Sequence, residues 1–105
     1  PLAAQAYGRR LRIQVLPAGL RAFSPWRPRV DLRWSEVQGL EWRPRRELLL
    51  IRGTGGRRIA VPARLVGLGQ LEDVLRAKLP ASMLQEPLAA LRRRLDARYG
   101  PRKPA

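Results

Sequence analysis

The segment RELLLIRGTGGRRIAVP, residues 46–62, contains the pattern that decides the fold. Its run LLLI has no polar interruption, which predicts a strand over residues 46–52 that is buried on both faces. The GTGG sequence at residues 53–56 has the composition of a tight turn. Residues 57–62 then alternate between polar and apolar side chains, as a half-buried strand does. The segment is therefore predicted to be two antiparallel strands joined by a hairpin turn.

The chain before this hairpin shows the same period-two alternation in four more segments. They predict strands at residues 10–16, 20–24, 29–34 and 38–43. Turns are expected at Pro17-Ala18-Gly19, around Pro44-Arg45 and at residues 35–37. Residues 25–28 are predicted to be a loop, because they contain two prolines and a central strand does not tolerate proline. Six strands are predicted in all.

After Pro62 the apolar period changes from 2 to 3.6, which indicates helix. An apolar stripe predicts a first helix that ends before Pro80; its members are Leu68, Leu71, Val74, Leu75 and Leu79. A second helix is predicted to begin at Pro87, since proline suits the first helical turn. Its seam, formed by Leu88, Leu91 and Leu95, spans barely one heptad and is too short for a stand-alone coiled coil. We expect the seam to pack on the chain's own sheet or on a neighbouring domain.

These elements predict a mainly β, α+β domain: a bent antiparallel sheet or partly open barrel capped by a helix. The domain is assigned to residues 9–80. Residues 1–8 are expected to be a flexible lead-in, residues 81–99 a linker with an additional helix, and residues 100–105 a disordered tail.

At this point the sequence resembles the bacterial pleckstrin-homology-like domains. The matching features are Gly19-Leu20 in a turn, Trp34 with Val37, a hairpin, and Val61-Pro62 before the helix. The resemblance covers residues 9–80 and implies six to seven strands in a bent sheet capped by a helix. It also implies docking to proteins or to anionic lipid surfaces, often beside membrane segments of the same polypeptide.

The composition argues against an enzyme. The 105 residues include no Cys and no His, so thiol nucleophiles, imidazole bases, disulfides and ordinary zinc sites are excluded. The eight acidic residues are scattered, and none forms a pair suited to acid–base catalysis or to a metal. No cofactor and no small-molecule substrate are expected.

The charge points instead to an anionic partner. Lys and Arg number 22 and Asp and Glu number 8, which gives a net charge of +14. The excess lies in the predicted sheet and the last helix, while residues 67–86 are slightly acidic. Because nearly all the basic residues are Arg, codon bias in a GC-rich genome is an alternative explanation for part of the excess.

Two segments combine Trp with Arg and Pro. In the first, the candidate binding residues are Trp26, Arg27 and Arg29. A half-exposed indole flanked by cations can lie in a lipid headgroup layer or stack on a base. The alternative is that Trp26 covers one end of the barrel.

In the second segment, at the predicted hairpin tip, the candidate residues are Trp42, Arg43, Arg45 and Arg46. Guanidinium groups fork onto phosphate or carboxylate oxygens and also stack on Trp. The alternative is that charge and proline protect a strand edge.

The sequence thus favours a non-enzymatic binding module of a larger bacterial protein, with a protein or an anionic lipid surface as partner. A nucleic-acid-binding module and a structural domain that oligomerises through the Leu88-Leu91-Leu95 seam remain open. A cytoplasmic location is expected, and attachment to the inner face of the membrane through sequence upstream of Pro1 is an open alternative. The oligomeric state is not indicated.

Overall fold

A computed structural model describes residues 4–7, 11–25, 27–64 and 67–100, without the side chains of residues 4–7 and 27. The described strands are β1 (Ala4–Tyr7), β2 (Arg12–Leu16), β3 (Gly19–Ser24), β4 (Arg27–Arg33), β5 (Val37–Arg43), β6 (Leu48–Gly53) and β7 (Arg58–Pro62). Two helices follow, α1 (Leu68–Lys78) and α2 (Ala81–Tyr99). Short 3-10 turns occupy Trp34–Glu36 and Thr54–Gly56.

The strands form two antiparallel sheets. One has the order β1-β2-β3-β4 and the other the order β5-β6-β7. The chain passes from one sheet to the other only once among the described residues, through the 3-10 turn Trp34–Glu36. The predicted fold class is confirmed: the domain is α+β, with open antiparallel sheets and a helix, consistent with a pleckstrin-homology-like bent sheet.

Strand β6 is buried on both faces, as its apolar run predicted. Leu49 and Ile51 are completely buried and pair with Val61 and Ile59 of β7. Leu50, on the opposite face, is also buried. The register between β6 and β7 is continuous from Leu48 to Arg52, so the hairpin of residues 46–62 forms as expected.

The corner between the two sheets is held by a network around Arg57. Its guanidinium donates hydrogen bonds to the carbonyl oxygen of Asp31 at 2.8 Å, to the hydroxyl of Thr54 at 2.8 Å and to the carboxylate of Glu36. Glu36 also accepts a hydrogen bond from the backbone N–H of Arg33 at 2.9 Å. These bonds tie the end of β4, the sheet-crossing turn and the β6–β7 turn together.

Close packing at the same corner requires glycine at position 53. A Cβ there would lie 2.3 Å from a methyl carbon of Leu32 in the other sheet. Trp34 is half-buried and packs against the core, and its indole N–H donates to the carbonyl oxygen of Pro17 at 3.1 Å. The two sheets therefore meet here without an intervening layer.

Two predictions about the N-terminal half are wrong. Residues 4–7, assigned to a flexible lead-in, form β1, which pairs with β2 from Ala4–Val15 to Tyr7–Arg12. Residues 25–28, predicted to be a loop, include the start of β4 at Arg27. Pro28 is tolerated there because β4 is the edge of its sheet and the pairing with β3 shifts between Ala22 and Ser24.

The start of the second helix was also predicted wrongly. Helix α2 begins at Ala81, directly after Pro80, and Pro87 lies inside it. Proline in a helix interior removes one backbone hydrogen bond. The helix continues through Pro87 because it buries Leu84 and Leu88 on either side of that position. Residues 81–86 are therefore helix and not linker.

Both helices contribute to a single core. Leu71 and Leu75 of α1, and Leu84, Leu88 and Leu91 of α2, belong to the same buried cluster as the inward side chains of both sheets. The leucine seam of α2 packs mainly against β5 of its own chain. The expectation that the seam folds back on the sheet is confirmed, and residues 81–99 share the core of the preceding domain.

We predict that Leu75→Ala lowers the free energy of unfolding by about 2–5 kcal/mol, because truncation of a fully buried leucine leaves a cavity. Urea denaturation measures the loss. Lys78→Ala on the exposed side of α1 is the control and should change the value by less than about 0.5 kcal/mol. A loss below about 1 kcal/mol for Leu75→Ala would show that α1 does not close the core.

The corner network predicts a pH dependence. The hydrogen bond from the Arg33 backbone, followed by that from Arg57, lowers the pKa of Glu36 below its usual value of 4.5. A carboxylate with a lowered pKa stabilises the fold above its unfolded pKa, and this contribution is lost as the pH falls through the folded value. The difference in unfolding free energy between wild type and Glu36→Gln should therefore be constant at neutral pH and shrink below pH 4.5.

Chemical denaturation across this pH range tests the prediction. Glu86→Gln, which removes the same charge from the exposed side of α2, is the matched control. If the difference in unfolding free energy from wild type shrinks equally for both variants at low pH, the Glu36 network has no specific part in acid stability.

Candidate functional site

The candidate site is built around the turn between β5 and β6. The turn spans residues 44–47, and the backbone N–H of Glu47 donates to the carbonyl oxygen of Pro44 at 3.3 Å. The carbonyl oxygen of Glu47 accepts a hydrogen bond from the N–H of Ala63 at 2.8 Å. This hydrogen bond fixes the turn to the residue just after β7. Arg64 is the next residue in the chain.

Glu47 connects this turn to the last turns of α2. Its carboxylate accepts a hydrogen bond from Arg94 and another, at 3.0 Å, from Arg98. The two arginines are one helical turn apart and so lie on the same side of α2. The hydrogen bond from Arg94 is the main reason why the pKa of Glu47 is lowered.

A cleft of about 370 Å³ opens beside this carboxylate. We call it the arginine cleft; its lining consists of Arg45, Arg46, Glu47, Leu48, Pro62, Arg64 and Arg98. The lining thus includes four arginines and one glutamate, and Arg94 contacts the carboxylate of that glutamate from α2. The cleft therefore carries a strong excess of positive charge.

Three of these arginines have no acidic partner among the residues that the structure describes. Arg45, Arg46 and Arg64 are exposed and form no ion pair there, whereas Arg94 and Arg98 pair with Glu47. Guanidinium groups present several N–H donors in a plane that matches carboxylate and phosphate oxygens. The arrangement is suited to binding an oxyanion.

The other residues predicted in this segment lie elsewhere. Arg43 points to the opposite face of the sheet from Trp42, and it pairs with Glu41 at 3.2 Å. Glu41 also lies 3.9 Å from Arg52. Arg43 is thus partly neutralised, and Arg45 and Arg46 are the two predicted residues that the structure places in the arginine cleft.

Trp42 is half-buried and packs against the core. Its exposed part lines a second, open groove of about 620 Å³ between β5 and α2, which Ala89 and Ala90 also line. The strand alternation that directs Arg43 outward directs Trp42 inward. Trp42 and Arg43 therefore lie on opposite faces of β5.

In the first predicted cluster, Trp26 and the side chain of Arg27 lie outside what the structure describes. The Arg27 backbone begins β4. Arg29 lies 3.4 Å from Asp31, whose carboxylate also pairs with Arg21 at 2.9 Å. Arg29 is therefore paired with an acidic residue and is partly neutralised.

Sequence reasoning missed Glu47, Arg64, Arg94 and Arg98. The predicted β6–β7 pairing contained a signal for Arg64, because extending it beyond Leu48 and Pro62 places Ala63 opposite Glu47 and brings the next residue, Arg64, near the β5–β6 turn. The spacing of Arg94 and Arg98 places both on one helix face. No sequence pattern, however, indicates that this face meets the β5–β6 turn.

No family model, curated protein or solved structure matches this chain. Within the described residues, no three His, Cys, Asp or Glu side chains gather as metal ligands. The helices that the structure describes, α1 and α2, include none that is both long and apolar enough to cross a membrane.

The geometry predicts unequal roles for the two arginines that contact Glu47. Because the hydrogen bond from Arg94 is the largest cause of the lowered pKa, Arg94→Gln should raise the pKa of Glu47 further toward 4.5 than Arg98→Gln does. An NMR titration of the Glu47 carboxyl carbon measures both shifts. Arg93→Gln, one residue away on α2, is the control, and a rise as large as that of Arg94→Gln would contradict the assigned contact.

Proposed function

We propose that this chain is a non-enzymatic, pleckstrin-homology-like binding module that docks onto an anionic membrane surface through the arginine cleft. In this proposal it forms part of a larger bacterial protein and acts at the inner face of the membrane. The observation that carries the proposal is the group of three exposed arginines, Arg45, Arg46 and Arg64, without acidic partners among the described residues.

The position of the cleft supports a surface ligand. Arg45 and Arg46 lie on a turn that projects beyond the ends of β5 and β6, and Arg98 lies in the last turn of α2. Basic residues near an acidic leaflet contribute about 1 kcal/mol each, and several of them together give measurable binding. Proximity of several arginines to one surface is therefore worth more than the same charges spread over the molecule.

The proposal does not include selective recognition of inositol lipids. In the family that the sequence resembles, members that bind such lipids carry Lys or Arg in the loop between the first two strands of their pattern. The turn Pro17-Ala18, which the six-strand prediction placed at this position, joins β2 and β3; with β1 present, the first two strands are β1 and β2, and the sequence between them, residues 8–11, contains Arg9 and Arg10. Attraction by the arginine cleft requires acidic headgroups but no particular sugar.

Two other functions compete with this proposal. Binding to nucleic acid is supported by the net charge of +14, since phosphate backbones attract clustered arginines. Docking to a protein is supported by the resemblance alone. Each of these functions predicts that the chain prefers a partner other than an acidic membrane.

The test measures binding to vesicles of phosphatidylcholine with phosphatidylglycerol, to phosphatidylcholine alone, and to a mixed-sequence DNA duplex, each at low and physiological salt. We expect binding to the acidic vesicles only, weakened by salt. Replacing Arg45, Arg46 and Arg64 together by Gln removes about 3 kcal/mol, which corresponds to a roughly hundredfold loss of affinity.

The matched control replaces Arg58, Lys78 and Arg93 by Gln, which removes the same three charges from exposed sites outside the arginine cleft. Equal losses in the two triple variants would mean that net charge, and not the cleft, drives binding. Tighter binding to DNA than to acidic vesicles at physiological salt would replace the proposal with the nucleic-acid function.

A further inference from the structure

Glu47 has an unusual backbone for its residue type. Its φ of 51° lies in the left-handed region, and it is the only residue other than glycine with positive φ among the described residues. Glycine or asparagine adopts this conformation at lower cost, because a longer side chain crowds the backbone there. We therefore expect the side chain of Glu47 to make contacts that offset this backbone cost.

The side chain delivers a carboxylate to two arginines at the mouth of the arginine cleft. Arg94 and Arg98 both donate to the same oxygen, Oε1 of Glu47. A carboxylate and a lipid phosphate present similar oxygens to a guanidinium fork. The space that the carboxylate fills is thus one that a phosphate group could fill with the same donors.

We propose that Glu47 is an internal ligand: its carboxylate occupies the phosphate position of the arginine cleft and is displaced when the phosphate of an acidic lipid headgroup binds. This inference rests on the proposed docking to membranes and names the ligand group and its competitor. On displacement, Arg94 and Arg98 join Arg45, Arg46 and Arg64 around the lipid phosphate, and the Glu47 carboxylate turns into water.

The exposure of Glu47 makes this exchange feasible. Its side chain retains 26% of its accessible surface, and those of Arg94 and Arg98 retain 46% and 41%. None of the three charges is left buried and unpaired when the contact opens, so the exchange avoids the cost of an isolated buried ion. The alternative is a purely structural tether between the β5–β6 turn and α2, which would lower stability on removal without raising affinity.

The experiment compares wild type and Glu47→Gln in binding to vesicles of equal parts phosphatidylcholine and phosphatidylglycerol. Loss of the competing charge should raise the affinity about three- to tenfold, the range expected when two partly exposed ion pairs no longer have to be broken. In a background of Arg94→Gln with Arg98→Gln, the same change at position 47 should have less than about a twofold effect, because the contested donors are gone.

Glu41→Gln is the matched control, since it removes the same charge and also frees an arginine, Arg43, outside the arginine cleft. If Glu41→Gln raises affinity as much as Glu47→Gln, or if Glu47→Gln leaves affinity unchanged or lower, the internal-ligand inference is overturned. Docking through the arginine cleft is tested separately, by the comparison of the two triple variants, both of which keep Glu47.

A replacement variant and a titration with inorganic phosphate complete the experiment. Should Glu47→Gln unfold, Glu47→Asn, which tolerates the left-handed backbone, takes its place in the same assay. Inorganic phosphate alone is titrated against both proteins by calorimetry. Weak phosphate binding beside strong vesicle binding supports a lipid headgroup as the ligand, whereas phosphate binding as tight as vesicle binding would overturn the choice of a lipid.

Discussion

Burial of β6 on both faces is the constraint on which the rest of the structure depends. Leu49 and Ile51 must be covered on one face and Leu50 on the other, and burying such side chains contributes about 1.5–3 kcal/mol each. Leu49 and Ile51 share one buried cluster with the inward side chains of the facing sheet and the leucines of both helices, and β5 and β7 pair with the two edges of β6. Once β6 is fixed, its first residue fixes the position of Glu47, and the pairing of Leu48 with Pro62 brings Arg64 to the same place. The arginine cleft is therefore positioned by the core, although none of its arginines is part of the core.

Much of the fold could be predicted from the sequence because its local signals agree with its packing. The alternation in β2 and the unbroken apolar run in β6 report directly on which faces are buried. The failures occurred where packing overrides a local preference. Pro28 is accepted in β4 because that strand is an edge, and Pro87 is accepted in α2 because Leu84 and Leu88 bury surface on both sides of it. Strand β1 has little apolar alternation of its own, and it is held by pairing with β2.

The candidate site could be predicted only in part. Composition identified Arg45 and Arg46, because a hairpin tip exposes whatever charges it carries. The same argument overvalued Arg29 and Arg43, since it took no account of Asp31 and Glu41, which lie beside them on the same strand. Side chains two apart on a strand share a face, so these pairs were open to prediction. Arg94 and Arg98 were not, because their relation to Glu47 depends on how α2 crosses the sheet, and only tertiary packing determines that.

Glu47 and Glu72 each bridge two arginines, and the difference in their burial separates their roles. Glu72 retains only 4% of its side-chain surface and lies between Arg76 and Arg92. Removing both arginines would leave the buried carboxylate of Glu72 without a compensating charge, which is strongly destabilising, so that bridge belongs to the fold. Glu47 retains 26% of its surface, and water can solvate it and its partners when they separate. Exposed pairs of this kind are worth about 1 kcal/mol or less. Under the internal-ligand proposal, a lipid phosphate that carries at least the same charge and meets additional arginines outcompetes such a pair, whereas the carboxylate of Glu72 is too buried to turn into water in the same way.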